Sequence, residues 1–424
     1  MKIKQLRARQ ILDSRGQPTV EVDVILQNGV IASASVPSGA STGQFEALEL
    51  RDKDVRKFLG KSVYQAVSHV VGPIQEALVG QSISHQRDID ALLLALDGTA
   101  DKSHLGANAI LAVSLAVARA RALGLNAPLY TTLDGHDYRM PVPLMNILNG
   151  GAHANNQLDI QEFMVMPIGA RDFPEALEMG YAIVSHLKSL LQKQGFSTAV
   201  GDEGGFAPDF SSHHQALDVV MQAIEKSGLK ARHDVCLALD VAASEWYQQG
   251  IYHLPKSNQR YTVDELIVYY ALLIKDYPIM SIEDGLAETD WAGWKKLTDI
   301  MGRDIQLVGD DLFVTNPVRF SEGIEKGVAN AILIKLNQIG TLTETLDTMH
   351  LAKKSGYRSI VSHRSGETED HFIADLAVAT GCGQIKTGSL CRTDRVCKYN
   401  QLLRIAESQN IPYAGREIFH DLNQ

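Results

Sequence analysis

Five short apolar runs in the second half of this 424-residue chain each end on a charged or titratable side chain. VCLALD ends on Asp240, PIMSIE on Glu283, IQLVGD on Asp310, AILIK on Lys335 and SIVSH on His363, and a weaker sixth run, CGQIK, ends on Lys386. Asp240, Glu283 and Asp310 supply hard oxygen donors, and oxygen-only coordination with open positions suits Mg²⁺, which keeps waters and bridges to substrate oxygens. One such acid alone more often caps a helix or pairs with a basic neighbour; three at the same topological position point to a cation. A lysine near metal ions and a second cation is favoured neutral, which would let Lys335 act as a base. Lys335 and Lys386 could equally be salt-bridged to the three acids, and spacing leaves both readings open. His363-Arg364-Ser365-Gly366 places a guanidinium, a hydroxyl and backbone N–H groups where a helix opens, a plausible cradle for an oxyanion or phosphate.

Successive run ends are 43, 27, 25, 28 and 23 residues apart, and most of these spacings equal one strand, one helix and two loops. The runs do not alternate, as strands buried on both faces require. A parallel β/α barrel gathers its strand C-termini at one mouth, so the spacing predicts a single cavity ringed by these six residues. Three loops add candidates. Ser38-Gly-Ala-Ser41-Thr-Gly43 is rich in hydroxyls, with glycine hinges that suit a lid. Gly150–Asn156 presents His153, and Gly201-Asp202-Glu203-Gly204-Gly205 sets a carboxylate where backbone can approach a ligand closely. Each taken singly also reads as an ordinary turn.

The first hundred residues follow another pattern. PTVEVDVILQ alternates as a half-buried strand, Asn28-Gly29 follows, and VIASASV alternates again, a hairpin signal. Helices are expected around 54–79, 86–96 and 107–123, the last too apolar for a surface helix. The polar segment DGHDYRMP (134–141) reads as a linker. The fold expected is therefore α/β with two domains: an N-terminal α+β lid domain over 1–133 and a C-terminal β/α barrel over 140–424.

A formal net charge of −10 argues against nucleic acid as the main ligand, since phosphate contacts need clustered Lys and Arg. The four cysteines lack C-x-x-C spacing and make no disulfide framework, and MKIKQLRARQIL lacks the apolar stretch of a signal peptide. No run approaches the eighteen apolar residues of a membrane span, so a reduced, cytoplasmic protein is expected. Gly60-Lys61-Ser62 imitates the end of a phosphate-binding loop, but Val55 stands where that motif needs glycine. The adjacent His213 and His214 read as loop surface.

With these residues assembled, the chain resembles the enolase family along essentially its whole length. DSRGQPTVEV, VPSGASTG, LGANAILAVSLA, MNILNGGAHANNQLDIQEFM, GDEGGFAP, SIEDGL, VGDDLFVTN, ILIKLNQIG, SHRSGETED and QIKTGS carry the likeness, in family order. The resemblance implies an enolase-type barrel whose first strands are partly antiparallel. It also implies a hydro-lyase that dehydrates 2-phospho-D-glycerate to phosphoenolpyruvate in glycolysis, and the reverse in gluconeogenesis, with two Mg²⁺ per active site. By motif, Asp240, Glu283 and Asp310 resemble the ligands of one metal, and Ser41 the residue that seats the second. Lys335 looks like the base and Glu203 like the acid, with Glu162 beside it. His153, Glu162, His363, Arg364, Ser365 and Lys386 resemble the residues that hold substrate. The family likeness further implies a homodimer or higher homo-oligomer, with Glu21 facing a neighbour's Arg404, and an additional surface or secreted pool alongside the cytoplasmic one. Cys382, Cys391 and Cys397 depart from the family pattern without touching a matched catalytic position.

Overall fold

The computed structural model describes residues 1–39, 43–133, 135 and 137–422. Three strands begin the chain: β1 (Ile3–Leu12), β2 (Pro18–Leu26) and β3 (Ile31–Ser35), paired antiparallel in that order. The Asn28-Gly29 hairpin joins β2 to β3 as its sequence predicts, with Gly29 at φ +90. β1 has no counterpart among the sequence expectations. It also overturns the half-buried reading of β2. Val20, Val22, Val24 and Leu26 are fully buried, and the alternate face is closed by a polar ladder. Arg9 of β1 pairs with both Glu21 and Asp23, Ser33 donates to Asp23 (2.7 Å), and Ser35 donates to Glu21 (2.8 Å). Glu21, expected to face a neighbouring subunit, is thus engaged within its own sheet.

The helix Gln86–Asp97 lies where expected, but the stretch 54–79 is broken. It holds short helical turns at Phe58–Gly60, Tyr64–His69, Val70–Ile74 and Gln75–Leu78. Pro73 has no amide to donate, and Gly72 leaves helical geometry (φ −101, ψ −109), which accounts for the interruption. The helix Ala107–Gly124 packs on β2 and β3. Against the sequence expectation, its length and hydropathy would suit a membrane span; 78% of it is nevertheless buried inside the protein, so it is an internal helix.

Beyond it lies a closed eight-stranded barrel. Its strands are β4 (Val142–Asn149), β5 (Glu162–Met166), β6 (Cys236–Asp240), β10 (Ile279–Glu283), β11 (Gln306–Gly309), β12 (Ala331–Ile334), β13 (Arg358–Ser362) and β14 (Gln384–Lys386). Between β6 and β10 sits a small antiparallel ribbon, β7 (Tyr247–Gln248), β8 (Ile251–Leu254) and β9 (Gln259–Tyr261), which explains the long 43-residue spacing. Most neighbours pair in parallel, but β5 runs antiparallel to both β4 and β6. The β4–β5 connection contains no crossover helix, only the 150–161 loop with one short turn, so the chain returns beside itself. The β5–β6 connection carries two helices, Phe173–Lys193 and His213–Lys226, and the double layer reverses direction again.

His213 is a correction. It does not sit on the surface but is buried at the start of its helix, where Nε2 accepts the backbone N–H groups of Asp159 (3.1 Å) and Ile160 (3.2 Å). Burial pushes its pKa down to about 4. The unfolded chain, with an ordinary histidine near 6.5, therefore binds the extra proton between about pH 4 and 6.5, and stability rises with pH across that window by up to ~3 kcal/mol. His213→Gln is expected to flatten this slope; equal urea midpoint shifts from pH 7 to pH 4.5 in variant and parent would exclude it.

The domains meet at the barrel mouth. Ser38 and Gly366 bond each other's backbone in both directions (2.8 and 2.9 Å), tying the loop that follows β3 to the His363–Gly366 segment. The Asp13-Ser14-Arg15 turn holds this junction, since Arg15 Nη2 donates to the carbonyls of Ser38 and Gly39 (3.1 Å each). A Cβ on Gly366 would lie 2.7 Å from the Ser38 backbone carbonyl oxygen and 2.5 Å from the Arg15 and Asp13 side chains, so a side chain here would force this junction apart.

Candidate active site

Barrel topology decides which strand ends reach the mouth. β6, β10 and β11 are adjacent, and Glu283 pairs in register with Asp240. Their terminal acids Asp240 and Glu283, with Asp310 just past β11, form one acidic third of the ring. Lys335 follows β12, His363 follows β13, and Lys386 ends β14. Because β5 is antiparallel, its first residue rather than its last reaches the same mouth, and Glu162 pairs with Asp240 on one side and Asn149 on the other. His153, Glu162, Glu203, Asp240, Asp310, Lys335, His363, Arg364, Ser365 and Lys386 all line one cavity. Glu283 stands outside that lining, held by Lys386. Ser41 lies outside the described residues.

Lys386 is buried, and its Nζ donates to Asp240 (2.7 Å) and to both Glu283 oxygens (2.9 Å each). Lys335 Nζ pairs closely with Asp310 Oδ2, while Gln338 donates to Asp310 Oδ1 (2.9 Å). Both lysines are thus ion-paired to the acids in this structure, a pairing that leaves the reading of Lys335 as a base standing beside it. Burial opposes the Lys335 charge, but Asp310 outweighs burial and the like charges of Arg364 and Lys386, so its pKa is raised.

Two further acids crowd these. Asp284, directly after Glu283, accepts the backbone N–H groups of Asp310 and Asp311 (2.9 Å each) from a left-handed backbone (φ +43). Asp284, Asp310 and Asp311 each place an oxygen within 4.8 Å of the others. Burial first, and neighbouring carboxylates second, raise Glu283 and Asp284 well above the ordinary range and push Asp311 up to about 7. Five carboxylates against two ammonium groups leave the acidic third short of positive charge. Its donors are all hard oxygens, and the residues present therefore fit a divalent cation.

Across the barrel lies a second cluster. His153 Nδ1 is 3.5 Å from Glu162 and 3.9 Å from Glu203, while His363 Nε2 is 3.4 Å from Glu203. Asn146 donates to Glu203 (3.1 Å). Burial, then the adjacent Glu203 charge, raises Glu162 well above its usual range. Burial works against the Glu203 charge too, but His363 and His153 outweigh it and hold that carboxyl well below. Two carboxyl groups this close titrate as a pair, in which Glu162 is the member favoured in its neutral form.

Arg364 makes a forked pair with Glu46 of the N-terminal domain (2.8 and 3.2 Å) and reaches Asn337 (3.2 Å). Sequence reasoning missed Glu46, Asp284, Asp311 and Gln338. The SIED and GDD doublets contained a signal for the two aspartates, since each directly follows a strand-end acid. Nothing local marked Glu46 or Gln338, whose partners lie hundreds or tens of residues away.

Residues 3–133 match the family model "Enolase, N-terminal domain" and residues 137–422 match "Enolase, C-terminal TIM barrel domain". Proteins named enolase from Legionella pneumophila strains Lens and Corby are each 64% identical over 419 residues, covering 99% of this chain and 99% of theirs.

Proposed function

The chain belongs to the enolase family and is an enzyme that dehydrates 2-phosphoglycerate to phosphoenolpyruvate; from that premise we propose which residues carry the reaction. The observation that carries the proposal is topological. β12, which Lys335 directly follows, and β5, which begins at Glu162, are four strands apart in either direction round the eight-stranded ring. A base and an acid therefore face each other across the cavity, as loss of a C2 proton and a C3 hydroxyl from opposite sides of one substrate requires.

Arg364 and Ser365 receive the phosphate, with His153, His363 and Lys386 completing the anionic binding surface. Lys335 Nζ, once neutral, takes the C2 proton; the C2–H electron pair moves toward the substrate carboxylate. The Glu162–Glu203 pair then delivers a proton through Glu203 to the departing C3 hydroxyl, so the C3–O bond breaks and water leaves. Lys335 can accept a proton only after its ammonium leaves Asp310 and gives one proton to solvent water, and the like charges of Arg364 and Lys386 favour the neutral amine once that tie is released. The backbone bridge between Ser38 and Gly366 holds the N-terminal domain against the barrel mouth, where shielding from water would strengthen each of these charge interactions.

The cofactor is read as Mg²⁺, two per site, with Asp240, Glu283 and Asp310 holding one and Ser41 assigned to the second by family resemblance. When bound, the cations would offset the charge that proton removal places on the substrate carboxylate. A division into a lid domain over 1–133 and a catalytic barrel over 140–424 is supported by the change from the three-stranded sheet and its helices to the barrel. A cytoplasmic location and a homo-oligomer belong to the same reading; four cysteines without a disulfide suit a reducing compartment. Ultraviolet absorbance of the enol product tests the assignment: 2-phosphoglycerate with Mg²⁺ gives a rise, chelation abolishes it, and added Mg²⁺ restores it. A rise that persists unchanged in excess chelator would remove the cation from the proposal.

A further inference from the structure

One fully buried cation plays no part in the reaction scheme above. Arg395, in the first turn of the helix Thr393–Ser408, has no exposed side-chain surface and reaches under the anion-binding loop. Its Nη1 lies 2.5 Å from His363 Nδ1 and donates to the Arg364 carbonyl (2.5 Å). Its Nη2 donates to the carbonyls of Ser365 (2.6 Å) and Asp202 (3.2 Å). Asp394 Oδ2, 2.8 Å from Nε, balances the charge. The slot exists because Gly388 lacks a side chain: a Cβ there would sit 2.8 Å from both Arg395 Cδ and the Glu203 carbonyl.

A guanidinium has five N–H donors and no acceptor. The ring nitrogen facing it must therefore offer a lone pair, which leaves the single proton of a neutral imidazole on the other nitrogen. That other nitrogen, Nε2, is the one facing Glu203 at 3.4 Å. We propose that Arg395 is a positioning residue that locks His363 in its Nε2–H tautomer and so aims a fixed N–H donor at the Glu203 carboxyl. The proposal rests on the roles assigned above to His363 and Glu203. Burial, with the Arg395 charge adding to it, keeps the ring neutral by pushing its pKa down to about 3. Through the carbonyls of Asp202, Arg364 and Ser365, the same guanidinium also fixes the distance between the loop that bears the acid and the loop that bears the anion holders.

Two measurements test this. Long-range ¹H–¹⁵N spectra of histidine-labelled parent protein, with His363 assigned by His363→Gln, report the tautomer whether or not Glu203 proves to be the acid. The expected spectrum shows a protonated Nε2 and a bare Nδ1; a proton on Nδ1 overturns the proposal even if the Arg395 variants misfold. In kinetics, Arg395→Met is expected to lower kcat about 10- to 100-fold, as loss of an outer partner that orients a working ring does. Arg395→Lys, which keeps a cationic donor, should recover part of that loss. Placed on top of His363→Gln, Arg395→Met should lower kcat by less than about 2-fold further, the mark of residues that act as one unit. Losses that multiply in full would assign Arg395 to packing alone.

Discussion

Lys335→Ala is expected to lower kcat by about 10²- to 10⁴-fold, the span typical of a positioned general base. Because the lysine acts on a proton transferred only in the transition state, kcat and kcat/KM should fall together with little change in KM. Isotope exchange sharpens the test. In deuterated water the parent enzyme should wash the C2 proton out of 2-phosphoglycerate, and Glu203→Gln, which spares the base, should continue to do so. Lys335→Ala should not. Exchange that survives in Lys335→Ala, or disappears equally in both variants, would refute the division of labour between the two sides of the barrel. Among the described residues the substitution also leaves Asp310 with Gln338 as its remaining side-chain hydrogen-bond partner, so part of its effect should appear in folding stability without a divalent cation.

Lys386→Met carries the second large effect, and it appears first in stability. The ammonium is buried between Asp240 and Glu283, with Glu162 at 3.5 Å, and its own pKa is raised well above the ordinary value by those carboxylates despite burial. Removing one partner from a buried ion cluster costs about 3–5 kcal/mol, chiefly through the charges left behind. Without divalent cation, Lys386→Met should therefore unfold at markedly lower urea than the parent. Part of the loss is recovered as pH falls, because the abandoned carboxylates can take protons. Mg²⁺ should restore stability more in the variant than in the parent, since it would supply charge the variant lacks. Equal stabilisation of the two proteins by Mg²⁺ would count against Asp240 and Glu283 as cation ligands. Activity is expected to stay low even in saturating Mg²⁺, as Lys386 is also assigned to substrate.

Much of the site was legible as soon as strands could be told from helices. Apolar runs without alternation marked strands covered on both faces, and their terminal residues had to meet at one rim. This reasoning found Asp240, Glu283, Asp310, Lys335, His363 and Lys386. Glu162 escaped it because the reasoning assumes that every strand points the same way. It heads the one strand that is antiparallel to both of its neighbours, and only resemblance to a known family named it. His213 was misread for a related reason. Two adjacent histidines look polar on paper, whereas in the fold one ring supplies the acceptor that two backbone N–H groups of a buried loop need.

The sequence by itself determined the periodicities, and with them the barrel, the hairpin, the family and the kinds of functional group available. Those are local properties: a side chain's polarity and its spacing along one strand do not depend on what lies opposite. The tertiary structure decided the pairings. It brought Lys335 against Asp310, Glu46 against Arg364 and Arg395 against His363, and it set Glu162 beside Glu203 with their titrations pushed in opposite directions. Ionisation and tautomer follow from distance and burial, and both are set by residues far apart in the chain that barrel closure brings into contact.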